Sequence, residues 1–214
     1  FSSGKGGNVI AFLMEHEHFS YPDALRFLAK KYNILIEETE KSEEEKQKSN
    51  EKEALFLINQ FAIKHYIDNL IKKDEGISIG LSYLKDRGFS DEIIEKFAIG
   101  YSLDIKDEFF KTAIKSGYQK QSIEKSGLVI NNNNNVIDRF RGRIIFPIRS
   151  MAGRVQGFGG RILSKKFKTG KYINSPESII YIKSKVLYGI YESKKSIASQ
   201  DLCYLVEGYT DVIQ

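Results

Sequence analysis

The chain has 214 residues, 41% of them hydrophobic and 29% charged, with a single cysteine and a formal net charge of +5. That length can bury a sizeable core, and the composition is that of a soluble globular protein; no apolar run approaches the roughly 20 residues of a membrane span. The lone Cys203 excludes an internal disulfide framework and fits a reducing interior. With no charged-then-apolar leader at its start, a cytoplasmic protein is expected.

The charge is unevenly spread. Residues 1–75 hold 11 Lys/Arg against 14 Asp/Glu, residues 76–137 hold 8 of each, and residues 138–214 hold 14 against 6. A positive excess in the last third suits a polyanion, whose phosphates release counterions when neutralised, as well as it suits a solubilising surface.

In chain order, Phe1–Gly7 reads as a glycine-rich loop, and Val9–Met14 as a short buried helix. Ser20-Tyr21-Pro22-Asp23 is a helix start, with Ser20 as cap, Pro22 in the first turn and Asp23 completing a capping box; Asn33 is the expected stop. From Glu37 to Glu53 the composition is Glu/Lys/Ser-rich, which marks a linker or the solvated lead-in of a helix. Ala54, Leu55, Ile58, Phe61, Ala62, Tyr66 and Leu70 then recur at helical spacing, which predicts a long helix to about Lys73. Short helices are expected over Ile79–Asp86, from Ser90, over Asp107–Ser116 and over Gln119–Ser126, with a brief strand at Phe97–Tyr101.

At Leu128 the texture changes to strands. Leu128–Ile130 and Val136–Ile137 flank five asparagines, a hairpin pattern because Asn tolerates left-handed turn conformations. Arg143–Arg149 and Arg154–Leu163 read as two further strands around a turn, and Asp201–Val206 as a central buried strand running through Glu207-Gly208 into a helix at Tyr209. Because the sequence ends directly after that junction, truncation is expected. The fold class is α+β: a helical N-terminal region, a small mixed or antiparallel sheet, and the first strand and helix of an α/β module.

Several groups could carry chemistry. In an extended strand Arg139, Arg141 and Arg143 would share one face, with Phe140 on the other; the aligned guanidiniums suit a phosphate backbone, and equally an edge strand guarded by charge. The glycines of Gly157-Phe158-Gly159-Gly160-Arg161 permit close backbone approach or a bulge, but the spacing is no dinucleotide fingerprint. Lys165, Lys166, Lys168 and Lys171 interleave with Phe167 and Tyr172, as suits a single-stranded nucleic acid or a solvated loop. Glu207 and Asp211 stand at a strand end, where α/β folds place ligands; two carboxylates can begin a Mg²⁺ site, or Asp211 can simply favour a helix N-terminus. His16, His18 and His65 form no site, and Cys203 reads as inert strand packing.

Together these segments resemble the bacterial DnaG-type DNA primase family. Ser3–Asn8 with Phe12–Met14 resembles the end of that family's zinc ribbon. Tyr83–Gly88 with Phe97–Tyr101 resembles the opening of its polymerase core, and Asp138–Ile148 its basic motif. Gly157–Arg161, Lys171–Glu177 and Leu187–Gly189 continue in the family's order, and Val206–Val212 resembles the first motif of its Toprim module.

The resemblance implies an enzyme, a nucleotidyltransferase that makes short RNA primers on a single-stranded DNA template from ribonucleoside triphosphates during replication. It implies Glu207 and Asp211 as the acidic pair, with Glu207 binding Mg²⁺ or Mn²⁺ or assisting deprotonation of the 3′ hydroxyl. It places Arg87, Arg139, Arg141, Arg143, Arg161, Lys171, Asn174 and Lys183 on template or nucleotide. Ser3 stands where the last zinc-ligating cysteine is usual, so no Zn²⁺ is expected here. The later Asp-x-Asp motif would follow Gln214, so the chain alone is expected to be inactive. A helicase and a single-strand binding protein are expected partners only of the longer parent, and no membrane is involved. The implied division is a zinc-ribbon tail (1–36), a charged linker (37–53), the basic subdomain of the core (54–200) and a truncated Toprim start (201–214). A Toprim-bearing protein that binds DNA without polymerising is the alternative.

Overall fold

A computed structural model describes residues 7–16, 19–35, 42–133, 135–163 and 170–213. The expectations placed on Ser3, on His18 and on Lys165 to Lys168 lie outside the described residues. The chain divides into two compact units, Phe1–Glu45 and Lys46–Gln214.

In the first unit α1 (Val9–His16) and α2 (Tyr21–Lys31) are the described elements. Ser20 caps α2 as its sequence predicts, with Ser20 Oγ accepting from the Asp23 amide at 3.3 Å. Asn33 takes the left-handed conformation, φ 52°, just after the helix. The burial expected of α1 is not found: Leu13 is buried, but Val9, Phe12 and Met14 are exposed. Two short helices offer too little surface to cover an apolar run on all sides.

The helix α3 (Glu43–Lys72) is the spine of the second unit. It begins inside the charged stretch, so those residues from Glu43 onward are its solvated lead-in. Its apolar side buries Ile58, Ala62, Ile63 and Tyr66 in one core, and Leu70 in a second. A π-helical turn (Gly76–Leu81) leads into α4 (Ser82–Asp86), followed by α5 (Asp91–Lys96), which Ser90 caps. Then come β1 (Gly100–Ser102), α6 (Glu108–Lys115) and α7 (Lys120–Lys125). The asparagine run makes the expected hairpin, β2 (Val129–Asn132) paired with β3 (Asn135–Asp138), with Asn133 left-handed at φ 49°.

The main sheet runs in the order β1-β4-β5-β6, from β4 (Arg143–Arg149), β5 (Val155–Ile162) and β6 (Tyr172–Asn174). Every pairing in it is antiparallel, so the sheet is not mixed. Along β4, Ile145 joins the α3 core while Ile144 and Phe146 join the second. A strand covered on both faces reads as a continuous apolar run rather than an alternation. Pro147 sits in this inner strand without cost because β1 pairs only with Arg143–Ile145, so on that side its missing N–H has no ladder partner to lose.

Polar contacts fix α3 to the β4–β5 hairpin. Asn59 Nδ2 donates to the carbonyls of Val155 and Gln156 at 3.2 and 3.1 Å, and Arg154 makes two 2.8 Å bonds to Glu53 with its guanidinium 3.6 Å from the Phe56 ring centroid. Exposed pairs contribute little individually, but stacking adds to this one. Arg154→Ala is therefore expected to lower stability by about 1 kcal/mol in a urea titration, whereas Arg154→Lys should recover less than half because lysine lacks the planar fork.

After β6 the chain passes through a 3₁₀ turn (Lys183–Lys185) to α8 (Ile190–Gln200) and ends in α9 (Tyr209–Ile213). The central buried strand expected at Asp201–Val206 is absent. Leu202–Val206 forms no strand and is exposed, Leu205 to 80% and Cys203 with it. A strand needs a ladder partner for its backbone groups, and no described strand pairs with this segment.

Candidate functional site

Three arginines of the basic motif do not align. Residues 139–142 turn instead of extending, so Arg139 and Arg141 leave the strand register that would have set them beside Arg143. Arg139 Nε donates to the Gly127 carbonyl at 2.6 Å, and burial lowers its pKa. Arg141 Nε lies 2.9 Å from Asp104 Oδ1. Arg143 is only 3% exposed, and its Nη1 donates to the carbonyls of Gly160, Gly170 and Lys171 at 3.3, 3.1 and 3.4 Å. Phe140 is wholly buried, as expected. The turn is enforced by Gly142, which takes φ 65° against Asp104.

A different basic group forms around aromatic rings. Arg161, on β5, donates from Nη1 to the Tyr172 hydroxyl at 3.0 Å, and its guanidinium carbon lies 4.8 Å from the Tyr83 ring centroid and 5.5 Å from that of Tyr172. Arg87, at the end of α4, lies 5.7 Å from the Tyr83 ring. Lys171 is exposed beside Tyr172, and its carbonyl is one of those that Arg143 holds.

Next to this group opens a cavity of about 650 Å³ whose lining includes Asn174, Lys183, Glu207, Tyr209 and Asp211. Neither Arg139 nor Arg141 lines it. Tyr209 links the two regions: its ring lies 6.2 Å from that of Tyr172, and its hydroxyl donates to Asn174 Oδ1 at 2.7 Å. The Tyr209 ring stacks on Phe146 at 5.2 Å with 3° between planes and meets Tyr188 edge-on at 4.6 Å. The strand glycines do allow close approach: Gly159 faces Tyr209, and Gly189, at φ 79°, admits Val212 of α9. Tyr188 is a second wall of the cavity, and burial pushes its hydroxyl well up.

The acidic pair is unequal. Asp211 Oδ2 accepts from the Gly208 amide at 3.1 Å, the reach-back bond of a helix cap, so it is partly occupied with starting α9. Glu207 is exposed at the cavity. Among the described residues no three His, Cys, Asp or Glu side chains gather as metal ligands; these two carboxylates alone do not make a complete centre. Zinc fits no better. A structural site takes four Cys or His ligands, while residues 1–44 contain no cysteine and only His16 and His18.

His65 has more partners than its sequence context suggests. Half-buried on α3, its Nε2 lies 2.7 Å from Glu108 Oε2, and its ring stacks on Phe61 at 6.2 Å. Sequence reading also missed β6, α8 and the organising tyrosines 83, 188 and 209. The signals for the tyrosines were faint: Tyr83 and Tyr188 lie inside motif blocks but carry no charge to attract notice.

Residues 65–194 match the family model of the DNA primase catalytic core, N-terminal domain, and residues 1–44 match the CHC2 zinc finger. A DNA primase of Halalkalibacterium halodurans is 39% identical over 215 residues, covering 100% of this chain and 35% of that protein; one from Clostridium acetobutylicum is 35% identical, covering 100% and 34%. The solved DnaG primase catalytic domain bound to ssDNA superposes with TM-score 0.70 at 36% identity over 77% of this chain and 50% of that one. The Aquifex aeolicus primase, zinc-binding and RNA polymerase domains, gives 0.68 at 30% identity over 98% and 49%. An α+β unit matched over residues 65–194 by the primase catalytic core's N-terminal domain defines the class, and the chain belongs to the bacterial DnaG-type DNA primase family. It spans about a third of the length of the curated relatives it matches. Among the described residues no helix is long and apolar enough to cross a membrane.

Proposed function

We propose that this chain forms the approach to, and the basic half of, the catalytic core of a cytoplasmic DNA primase that makes RNA primers on single-stranded DNA during replication. The observation that carries the reading is the meeting of Asn174, Lys183, Glu207 and Asp211 in one cavity, joined through Tyr209 and Tyr172 to the Arg161 cluster. In this reading Arg87, Arg161 and Lys171 hold template phosphates, and Asn174 and Lys183 hold the incoming ribonucleoside triphosphate. Arg139 and Arg141 contribute only by exchanging Gly127 and Asp104 for phosphate, and Arg143 acts by holding the Gly170 and Lys171 carbonyls.

Glu207 is the carboxylate free to take the proton from the attacking 3′ hydroxyl or to share a Mg²⁺ or Mn²⁺ ion, which would neutralise charge on the phosphates; Asp211 keeps α9 in place. The division into a zinc-ribbon tail (1–36), a charged linker (37–53), the core's basic subdomain (54–200) and the start of a Toprim module (201–214) belongs to the same proposal, as do a helicase and a single-strand binding protein that bind elsewhere on a longer protein.

The test is direct. Full-length protein with single-stranded template, ribonucleoside triphosphates and Mg²⁺ should yield oligoribonucleotides, and Glu207→Gln should reduce the yield at least tenfold if it acts as base or ligand. No product from the unaltered protein, with DNA still bound, would replace this reading with that of a non-polymerising DNA binder.

A further inference from the structure

Tyr83 lies half-buried on α4 near two cations, with Arg161 at 4.8 Å and Arg87 at 5.7 Å from its ring centroid. Arg161 is 8% exposed. Its described partners are the Tyr172 hydroxyl and the two rings, and among the described residues no carboxylate meets it. A guanidinium has five N–H donors and no acceptor, and a buried cation without a counter-charge is unfavourable. The ring faces offset only part of that cost and of the repulsion between two like charges.

The Tyr83 hydroxyl adds a third donor. Its oxygen is buried and meets no hydrogen-bond partner among the described residues. Arg87, which lies against it, can only donate. Burial raises the pKa of this hydroxyl, outweighing the pull of Arg161 and Arg87, so it stays protonated at neutral pH. Apart from the Tyr172 hydroxyl, which accepts from Arg161, the described side-chain groups converging on this spot offer hydrogen. Two guanidiniums against one ring, with a neutral O–H beside them, are complementary to the anionic oxygens of a phosphodiester.

We propose that Tyr83 donates its hydroxyl proton to a phosphate oxygen of the bound single strand, which Arg87 and Arg161 grip at the same point. The inference rests on the template-binding reading above and adds to it an uncharged contact. Arg87 is exposed, so turning it toward the phosphate also uncovers the hydroxyl it lies on.

The test measures binding of a fluorescently labelled oligothymidine by the protein over a range of salt concentrations. Tyr83→Phe keeps the ring and removes only the hydroxyl. It is expected to weaken binding roughly tenfold at fixed salt, the loss expected for a hydrogen bond to a charged acceptor, and to leave the salt slope unchanged, because a neutral donor releases no counterion. Its melting temperature should be equal or higher, since a buried unpaired hydroxyl has gone. Arg161→Ala, in contrast, should lower the slope by about one. Wild-type affinity for Tyr83→Phe alongside a lowered slope for Arg161→Ala overturns the hydroxyl contact and leaves the template reading standing. A reduced slope or a lower melting temperature for Tyr83→Phe also overturns it, because the ring would then act by holding the arginines. An unchanged slope for Arg161→Ala removes the template reading itself, and this inference with it.

Discussion

Gly159→Ala is expected to cut primer synthesis by the full-length protein roughly 100-fold, the scale of loss for a misplacement of about 1 Å at a reacting centre, while the melting temperature moves by only a few degrees. A Cβ on Gly159 would stand 2.5 Å from Tyr209 Cζ and 2.7 Å from its hydroxyl oxygen. The ring has little freedom to retreat, because Phe146 stacks on it and Tyr188 abuts its edge. Displacement would break the Tyr209–Asn174 bond and shift the start of α9, two residues after Glu207. Tyr209→Phe provides the internal comparison. It keeps the ring and loses only the bond to Asn174, so a smaller fall of about tenfold is expected. If Gly159→Ala made primers at the wild-type rate, the contact between β5 and Tyr209 could not be what positions the acidic residues.

The local elements were legible wherever nearby residues decide them. Ser20 and Ser90 cap helices as their side chains allow, the asparagine run turns a hairpin, and the spacing from Leu55 to Leu70 writes out α3. The unit's α+β class followed from the same patterns. What stayed hidden depends on residues distant in sequence. The guanidiniums of Arg139, Arg141 and Arg143 look alternating on paper, but Gly142 at a positive φ ends the strand pattern before it can aim them. Leu202–Val206 has a strand's composition, yet composition supplies no hydrogen-bonding neighbour.

Within the cavity, the polar and acidic residues were the legible part. Asn174, Lys183, Glu207 and Asp211 were singled out and do meet in one cavity. The tyrosines that hold them together were not, because an aromatic ring's role is set by what packs on either side. Glycine was more informative: the spaced glycines of β5 announce a close approach, although only the fold reveals that Phe140 and Tyr209 are what approach.

Stability is expected to fall as pH rises from about 4 to about 7, through one carboxyl. Asp138, at the end of β3, is 3% exposed, and burial pushes its pKa up to about 7. The Phe109 and Phe110 amides at the start of α6, at 2.7 and 3.1 Å, favour the charged form, and Glu108 and Asp107 oppose it. Because the folded value lies above the unfolded one, the folded chain holds more protons between them. The unfolding free energy therefore decreases across that window, and the contribution is complete below the ordinary value of 3.8. At about 1.4 kcal/mol per pH unit the loss has a ceiling of about 4 kcal/mol. Glu108 works in the opposite sense and at lower pH: burial raises it, but the bonds from His65, Asn69 and Thr112 bring its pKa down overall, so its contribution is present above the ordinary value of 4.5 and lost as pH falls through the folded one. Urea titrations at pH 5 and pH 8 isolate Asp138 when Asp138→Asn is measured beside the wild type. The asparagine keeps one acceptor for the α6 amides and cannot ionise, so its stability should change much less between the two pH values. Equal pH dependence in both proteins would mean that Asp138 is already charged in the folded state at pH 5, and that the helix amides outweigh its burial.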